Sequence, residues 1–144
     1  MSDKWNNRFI KLAEHVSEWS KQGHKIGAVI TNTKNEVISL GYNGFPSGIK
    51  DDKRLENKEL RREMCIHAEQ NCILHAKQDL TDCKIYIYGY CCCSKCALLI
   101  IQSGIKEVYY KNIPNKKTSE YWEKDLAFAK DLLKEAKILV KEIK

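Results

Sequence analysis

Alternating strand and helix patterns place this chain in the α/β class, with a mixed five-stranded sheet whose later strands run parallel under helices on both faces. Three observations carry that assignment. Two early apolar runs, IGAVITN (26–32) and EVISLGYN (36–43), are joined by the turn-forming NTKNE, the pattern of a hairpin. Two later runs, KIYIYGY (84–90) and IKEVYY (105–110), flank a segment of helical spacing, SKCALLIIQSG (94–104). A long helical stretch, about 119–135, then leads to a last strand-like run, ILVKEI. No internal repeat or composition break divides the 144 residues, so a single domain over 1–144 is expected.

The first helix is expected over residues 3–22, behind an N-cap at Ser2 or Asp3. Trp5, Phe9, Leu12, Ala13, Val16 and Trp19 recur there at helical spacing and read as core. After the hairpin, the glycines and proline of GFPSG require a loop from Gly44 to about Asp52. The charged DDKRLENKELRRE has room for a short helix. Helical spacing returns from His67 to about Lys77, with Ile73 and Ala76 facing inward, and Gly104 ends the helix that begins near Cys93. In this order of elements, the helix N-termini near His67 and Cys93 converge on one edge of the sheet.

Composition narrows the function classes without choosing one. Hydrophobic residues are 43% and charged residues 31%, the balance of a globular protein. The N-terminal stretch is amphipathic and charged rather than a secretory leader, and no apolar run approaches the roughly 20 residues that span a bilayer. A cytoplasmic location without membrane partners is the resulting expectation. The net charge of +6 comes from lysines interleaved with acids, as on a solvated helix face. Seven cysteines, an odd count with no leader, suit reduced thiols or metal ligation better than disulfides.

The chemistry concentrates in two short motifs. In CIHAEQNCI (65–73), His67 stands two positions before Glu69, which alone is common in ordinary helices. About two dozen residues later, CCCSKC (91–96) sets Cys93 and Cys96 three apart, close enough on one helical turn to bind one ion. A helix N-terminus favours thiolate over thiol. With His67 these make three ligands and leave a tetrahedral zinc one open position, the pattern of a catalytic ion. Zinc lowers the pKa of a bound water, and Glu69 is placed to move its protons. CxxC by itself is also the pattern of a redox pair or half of a structural site, and Cys65, Cys72, Cys83 or Cys91 would be spare ligands for the latter.

His-x-Glu followed by Pro-Cys-x-x-Cys is the pattern of zinc-dependent nucleobase deaminases, and this chain resembles it except that Cys92 stands in place of the proline. With GYNGFPSGIKDD (41–52), HAEQN (67–71) and CSKCALLIIQSGIKEVYY (93–110), it resembles the deoxycytidylate deaminases from the first helix through at least residue 110. The resemblance implies a cytidine-deaminase-like three-layer α/β/α sandwich. It implies one Zn2+ per chain on His67, Cys93 and Cys96, with Glu69 as the proton shuttle. It also implies Asn43 and the Ala68 backbone as substrate contacts, and hydrolysis of dCMP to dUMP and ammonia.

For the 5′-phosphate, Lys25 is the first candidate contact, with Arg61 and Arg62 as alternatives. The resemblance further implies a homo-oligomer, a hexamer in many members, and dCTP and dTTP as effectors in some. A tRNA adenosine deaminase shares the zinc motif and is the nearest alternative. No arginine-rich face or stacking patch favours it, so no nucleic-acid partner is expected. A non-catalytic zinc module would leave Glu69 without a role.

Overall fold

A computed structural model describes residues 2–114 and 118–144. Helix α1 (Ser2–Ser17) precedes a hairpin of β1 (Gly27–Thr31) and β2 (Val37–Tyr42). A 3-10 turn (Lys53–Glu56) and the short α2 (Lys58–Met64) lead to α3 (Ala68–Ala76) and β3 (Lys84–Gly89). Helix α4 (Ser94–Ser103), β4 (Glu107–Asn112), α5 (Glu120–Glu135) and β5 (Leu139–Glu142) complete the chain. The five strands form one sheet in the order β2-β1-β3-β4-β5.

Strand β1 is antiparallel to both neighbours, while β3, β4 and β5 are parallel. The consequence is positional: β2 and β3 end, and β1 begins, at one edge of the sheet. Gly27 pairs with Tyr42 on one side and Tyr88 on the other, which puts the entry to β1 beside both carboxyl ends.

The pleat divides the core. Ala28 and Ile30, Ile85 and Ile87, Val108 and Tyr110 face α3, α4 and α5, with Cys72, Ala97, Ile100 and Leu133 packed on them. Val29, Tyr86 and Tyr109 point the other way, to Phe9, Ile10 and Ala13 of α1. The result is the three-layer α/β/α sandwich expected from the sequence. On the α1 side Tyr86 stacks on Tyr109 with ring centroids 5.0 Å apart, and Phe9 meets Tyr86 at a tilt with centroids 5.1 Å apart. The buried Tyr86 hydroxyl donates to Asn6 Oδ1 at 2.8 Å, so burying it leaves no polar atom stranded.

Both helix layers seat on bare backbone. A Cβ at Gly27 would stand 2.0 Å from the Ala13 carbonyl oxygen, and one at Gly41 would stand 2.5 Å from that of Ala68. The second contact fixes α3 against β2, directly behind His67.

Several elements differ from the sequence reading. Helix α1 stops at Ser17 rather than continuing to 22, and the released chain turns so that Ser20 Oγ donates to the Asn43 carbonyl at 2.8 Å. Trp5 and Trp19 are not core residues: they are 40% and 50% exposed. Trp5 lies at the edge of the α1 face that reaches the sheet, and Trp19 lies beyond the helix in the turn that follows it. Trp5 stacks on Phe9 at 5.7 Å under the Arg8 guanidinium, and Trp19 meets Tyr42 edge-on at 6.0 Å. The charged stretch forms two helical pieces rather than one. No helix among the described residues is long and apolar enough to cross a membrane.

Gly27→Ala should lift α1 from the sheet and lower stability by about 1–3 kcal/mol, as overpacked cores do. Thermal denaturation would show the loss as a lower Tm, and an unchanged Tm would contradict the close approach.

Candidate active site

His67 and Cys93 occupy equivalent places, each the extended residue that caps the N-terminus of a helix. His67 (φ −72°, ψ 154°) precedes α3, and Cys93 (φ −74°, ψ 170°) precedes α4. The His67 N–H donates to Gln70 Oε1 at 2.8 Å, and Cys93 Sγ accepts from the Cys96 N–H at 3.5 Å. Each contact satisfies a backbone donor at a helix start, and the second also fixes the Cys93 side chain.

These caps bring three ligand atoms together. His67 Nδ1 lies 3.4 Å from Cys93 Sγ and 3.3 Å from Cys96 Sγ, and the three atoms lie within 4.8 Å of one another. Zinc–nitrogen bonds of about 2.0 Å and zinc–sulfur bonds of about 2.3 Å at tetrahedral angles would separate N from S by about 3.5 Å. The donor set therefore fits zinc with little movement, and Nδ1 is the ring nitrogen that faces both sulfurs. Among the described residues no other group of His, Cys, Asp and Glu is gathered in this way.

Glu69 is 4% exposed, and burial pushes its carboxyl up to about 7 despite the opposing pull of His67. It is thereby able to hold or release a proton near neutrality. Within the thiol pair, Cys93 carries the negative charge. Its pKa falls to about 4 because Cys96 donates to it, with His67 adding to the effect, and Cys96 is pushed up in turn. The hydrogen bond to Cys93 likewise raises His67.

The spare cysteines do not join this group. Cys92 is fully buried in the core between the sheet and the three helices, where it takes the place of the motif proline, and Cys91 is 4% exposed beside it. The Cys72 thiol donates to the Ala28 carbonyl at 3.6 Å and the Cys65 thiol to the Ile66 carbonyl at 3.5 Å. Burial lifts these two to about 12 and about 11, so both stay neutral thiols. Three ligands remain, as a catalytic site requires.

One anchor was not legible in the sequence. Asp125, on α5, accepts from the Ser94 N–H at 2.9 Å and from the Ser94 hydroxyl at 2.7 Å. It thus clamps the turn between Cys93 and Cys96 to a helix 31 residues away in the chain. An aspartate inside an amphipathic helix gives no local sign of such a contact. Gln70, three residues after the His67 cap, was findable from capping-box spacing.

Asn43 lies on the same edge, but its side chain is engaged with backbone. Its Oδ1 accepts from the Ile26 N–H at 3.0 Å and its Nδ2 donates to the His24 carbonyl at 2.6 Å. Gly44 and Ile66 exchange two hydrogen bonds, of 3.1 and 2.8 Å, which tie this loop to the residue before His67. Ala68 is fully buried at the first position of α3, where a backbone N–H has no partner within its own helix. Lys25 is exposed and lines a shallow cleft with Glu14, Glu18 and Tyr88. Arg62 is exposed, whereas Arg61 is partly buried.

Comparison with known proteins agrees with this geometry. Residues 3–112 match the family model of the cytidine and deoxycytidylate deaminase zinc-binding region. An uncharacterized deaminase in the luxG 3′ region of Aliivibrio fischeri is 38% identical over 97% of this chain and 94% of its own length. Human deoxycytidylate deaminase is 34% identical over 90% of this chain and 74% of its own. The dCMP deaminase of cyanophage S-TIM5, solved with dCMP and dUMP, shares the fold with a TM-score of 0.75 over 95% of both chains at 22% identity.

The ligand set makes a graded expectation. Purified Cys93→Ser should lose bound zinc, and Cys92→Ala should retain about one ion per chain. Asp125→Ala should keep the ligands but release zinc to a chelator about 10- to 100-fold more readily, the usual range for a lost outer-shell partner. Metal content and chelator competition read all three, and Cys92→Ala losing its zinc would overturn the ligand assignment.

Proposed function

The chain belongs to the cytidine and deoxycytidylate deaminase family, and on that premise we propose that it converts dCMP to dUMP by zinc-dependent hydrolysis. The observation that carries the reading is the burial of Glu69, held near neutrality two residues after a ligand of a three-donor site. The 34% identity to human deoxycytidylate deaminase supports dCMP as the substrate.

The residues divide the work. His67, Cys93 and Cys96 would hold the zinc, which would supply the Lewis acidity that makes water a nucleophile near neutral pH. Glu69 accepts the proton of the attacking water and passes it to ring N3 of the cytosine. A second transfer through Glu69 protonates the departing amino group, so that one water enters and one ammonia leaves. The Ala68 N–H is placed to orient the pyrimidine carbonyl beside Glu69. Asn43 holds residues 24–26 beside the site through its two side-chain bonds to backbone.

Self-assembly belongs to the same proposal. Leu74, Leu98, Leu99 and Phe128 on α3, α4 and α5 are 66%, 49%, 43% and 54% exposed, an apolar set that a second copy of the chain would cover. A hexamer in the cytoplasm, with dCTP and dTTP as effectors, is the form the family resemblance implies.

Glu69→Gln should retain zinc while turnover falls about 10²- to 10⁴-fold, the usual contribution of a positioned acid–base group. Normal turnover in that variant would remove Glu69 from the proton path. Ammonia release from dCMP, CMP, deoxycytidine, dCTP and a tRNA anticodon stem-loop in parallel tests the substrate. Turnover of dCMP above the rest is expected, and deamination of the stem-loop alone would replace this reading with RNA editing.

A further inference from the structure

The edge that carries the metal ligands also carries hydrogen-bond donors without acceptors. Arg61 lies on α2, and its carbonyl accepts from the Cys65 N–H at 3.0 Å, two residues before His67. Its Nη1 donates to the Leu55 carbonyl at 2.9 Å, which fixes the head of the side chain. The guanidinium lies over the bare backbone of Gly23, 3.6 Å from where a Cβ would stand. Among the described residues no carboxylate forms an ion pair with it, although the residue is partly buried. A half-buried guanidinium with four N–H groups left over is complementary to an oxyanion.

The loop facing it shows the same deficit. Gln22 is 6% exposed, and its buried Nε2 has no hydrogen-bond acceptor. This segment is pinned rather than loose. The Gln22 N–H donates to Ser20 Oγ at 3.1 Å, Ser20 Oγ donates to the Asn43 carbonyl, and Asn43 holds His24 and Ile26. Of the loop's lysines, Lys21 pairs with Asp51 at 3.1 Å, and Lys25 is exposed in a shallow cleft that Glu14 and Glu18 also line. Arg61 differs from Lys25 in being partly buried and held in place by the Leu55 carbonyl, with no carboxylate paired to it among the described residues.

We propose that Arg61, facing the pinned loop of residues 20–26, recognises the 5′-phosphate and so selects a pyrimidine nucleoside monophosphate over the nucleoside. The inference rests on the deaminase reading above and assigns the role to Arg61 rather than to Lys25. A guanidinium suits it because its planar fork offers two parallel N–H donors to phosphate oxygens, which an ammonium does not.

The test compares kcat/KM for dCMP and deoxycytidine in wild type, Arg61→Gln and Arg61→Lys. Because both substrates meet the same preparation, their ratio is independent of the folded fraction. In Arg61→Gln the preference for dCMP should fall about 10- to 100-fold, mostly through KM, as loss of a charged hydrogen bond predicts. Arg61→Lys should recover only part of it. An unchanged ratio in Arg61→Gln would overturn the proposal. So would a variant that loses dCTP binding but keeps the ratio, since the anion held there would then be an effector. Inorganic phosphate titrated by calorimetry tests the anion site without turnover: binding lost in Arg61→Gln supports it, and equal binding overturns it. Arg61-dependent phosphate binding in a wild type inactive on every cytosine substrate would sink the deaminase reading and leave the anion site standing.

Discussion

The site exists because β1 runs antiparallel between β2 and β3. That single reversal sends the carboxyl ends of two outer strands to the same edge as the amino end of the strand between them. The chain leaving β2 reaches α3 through a loop tied to Ile66, and the chain leaving β3 enters α4 within a few residues. Two helix N-termini therefore face one another across the sheet edge, each presenting partial positive charge from unpaired N–H groups. Thiolates and a proton-exchanging carboxylate are stabilised in such a place, and in a core of similar burial they would be costly. The close contacts at Gly27 and Gly41 serve this constraint, since they seat α1 and α3 at a distance no larger residue allows.

Preorganisation follows from how the helix starts are completed. Gln70 accepts from the His67 backbone and holds that residue at the start of α3, and Cys93 accepts from the Cys96 backbone, so that at α4 the cap and the ligand geometry are the same contact. A metal entering this site meets donors already 3.3 and 3.4 Å apart and orders little that is not ordered without it. Less binding free energy is then lost to immobilising side chains. Fixed donors also hold their orientation while charge shifts during reaction, which is where electrostatic catalysis draws its advantage.

What the sequence disclosed was what depends on local spacing. His67, Glu69, Cys93 and Cys96 sit within two short segments, and their separations within a helical turn already imply shared geometry. The strand order alternation announced the sheet and its helical layers for the same reason. Burial across the fold was less legible. Trp5 and Trp19 keep helical period with Phe9 and Val16, yet periodicity reports a direction and not how far the opposing sheet extends. The end of α1 at Ser17 also escaped, because the pull on the following turn comes from Asn43, far along the chain. Asp125 was invisible as a site element because its partner, Ser94, is brought to it only by the tertiary fold, whereas Arg61 was one of three candidate phosphate contacts in the sequence, which local spacing could not rank.

Cys92 shows how such distant contacts substitute for a local one. A proline before the first ligand cysteine fixes one backbone angle at the helix entrance and removes an N–H that would need a partner. Cys92 restores the free backbone angle, and the surrounding structure withdraws it by other means. Its side chain is fully enclosed in the core, which immobilises the residue by packing. On the far side of Cys93, the paired bonds from Ser94 to Asp125 lock the first turn of α4 against α5. The entrance is held from both ends, so the orientation of Cys93 passes from a ring constraint within one residue to a clamp between two helices. Tolerance of that replacement follows only if α5 is docked when the metal is bound, and this makes a C-terminal helix, outside the ligand motif, part of what keeps the zinc donors in place.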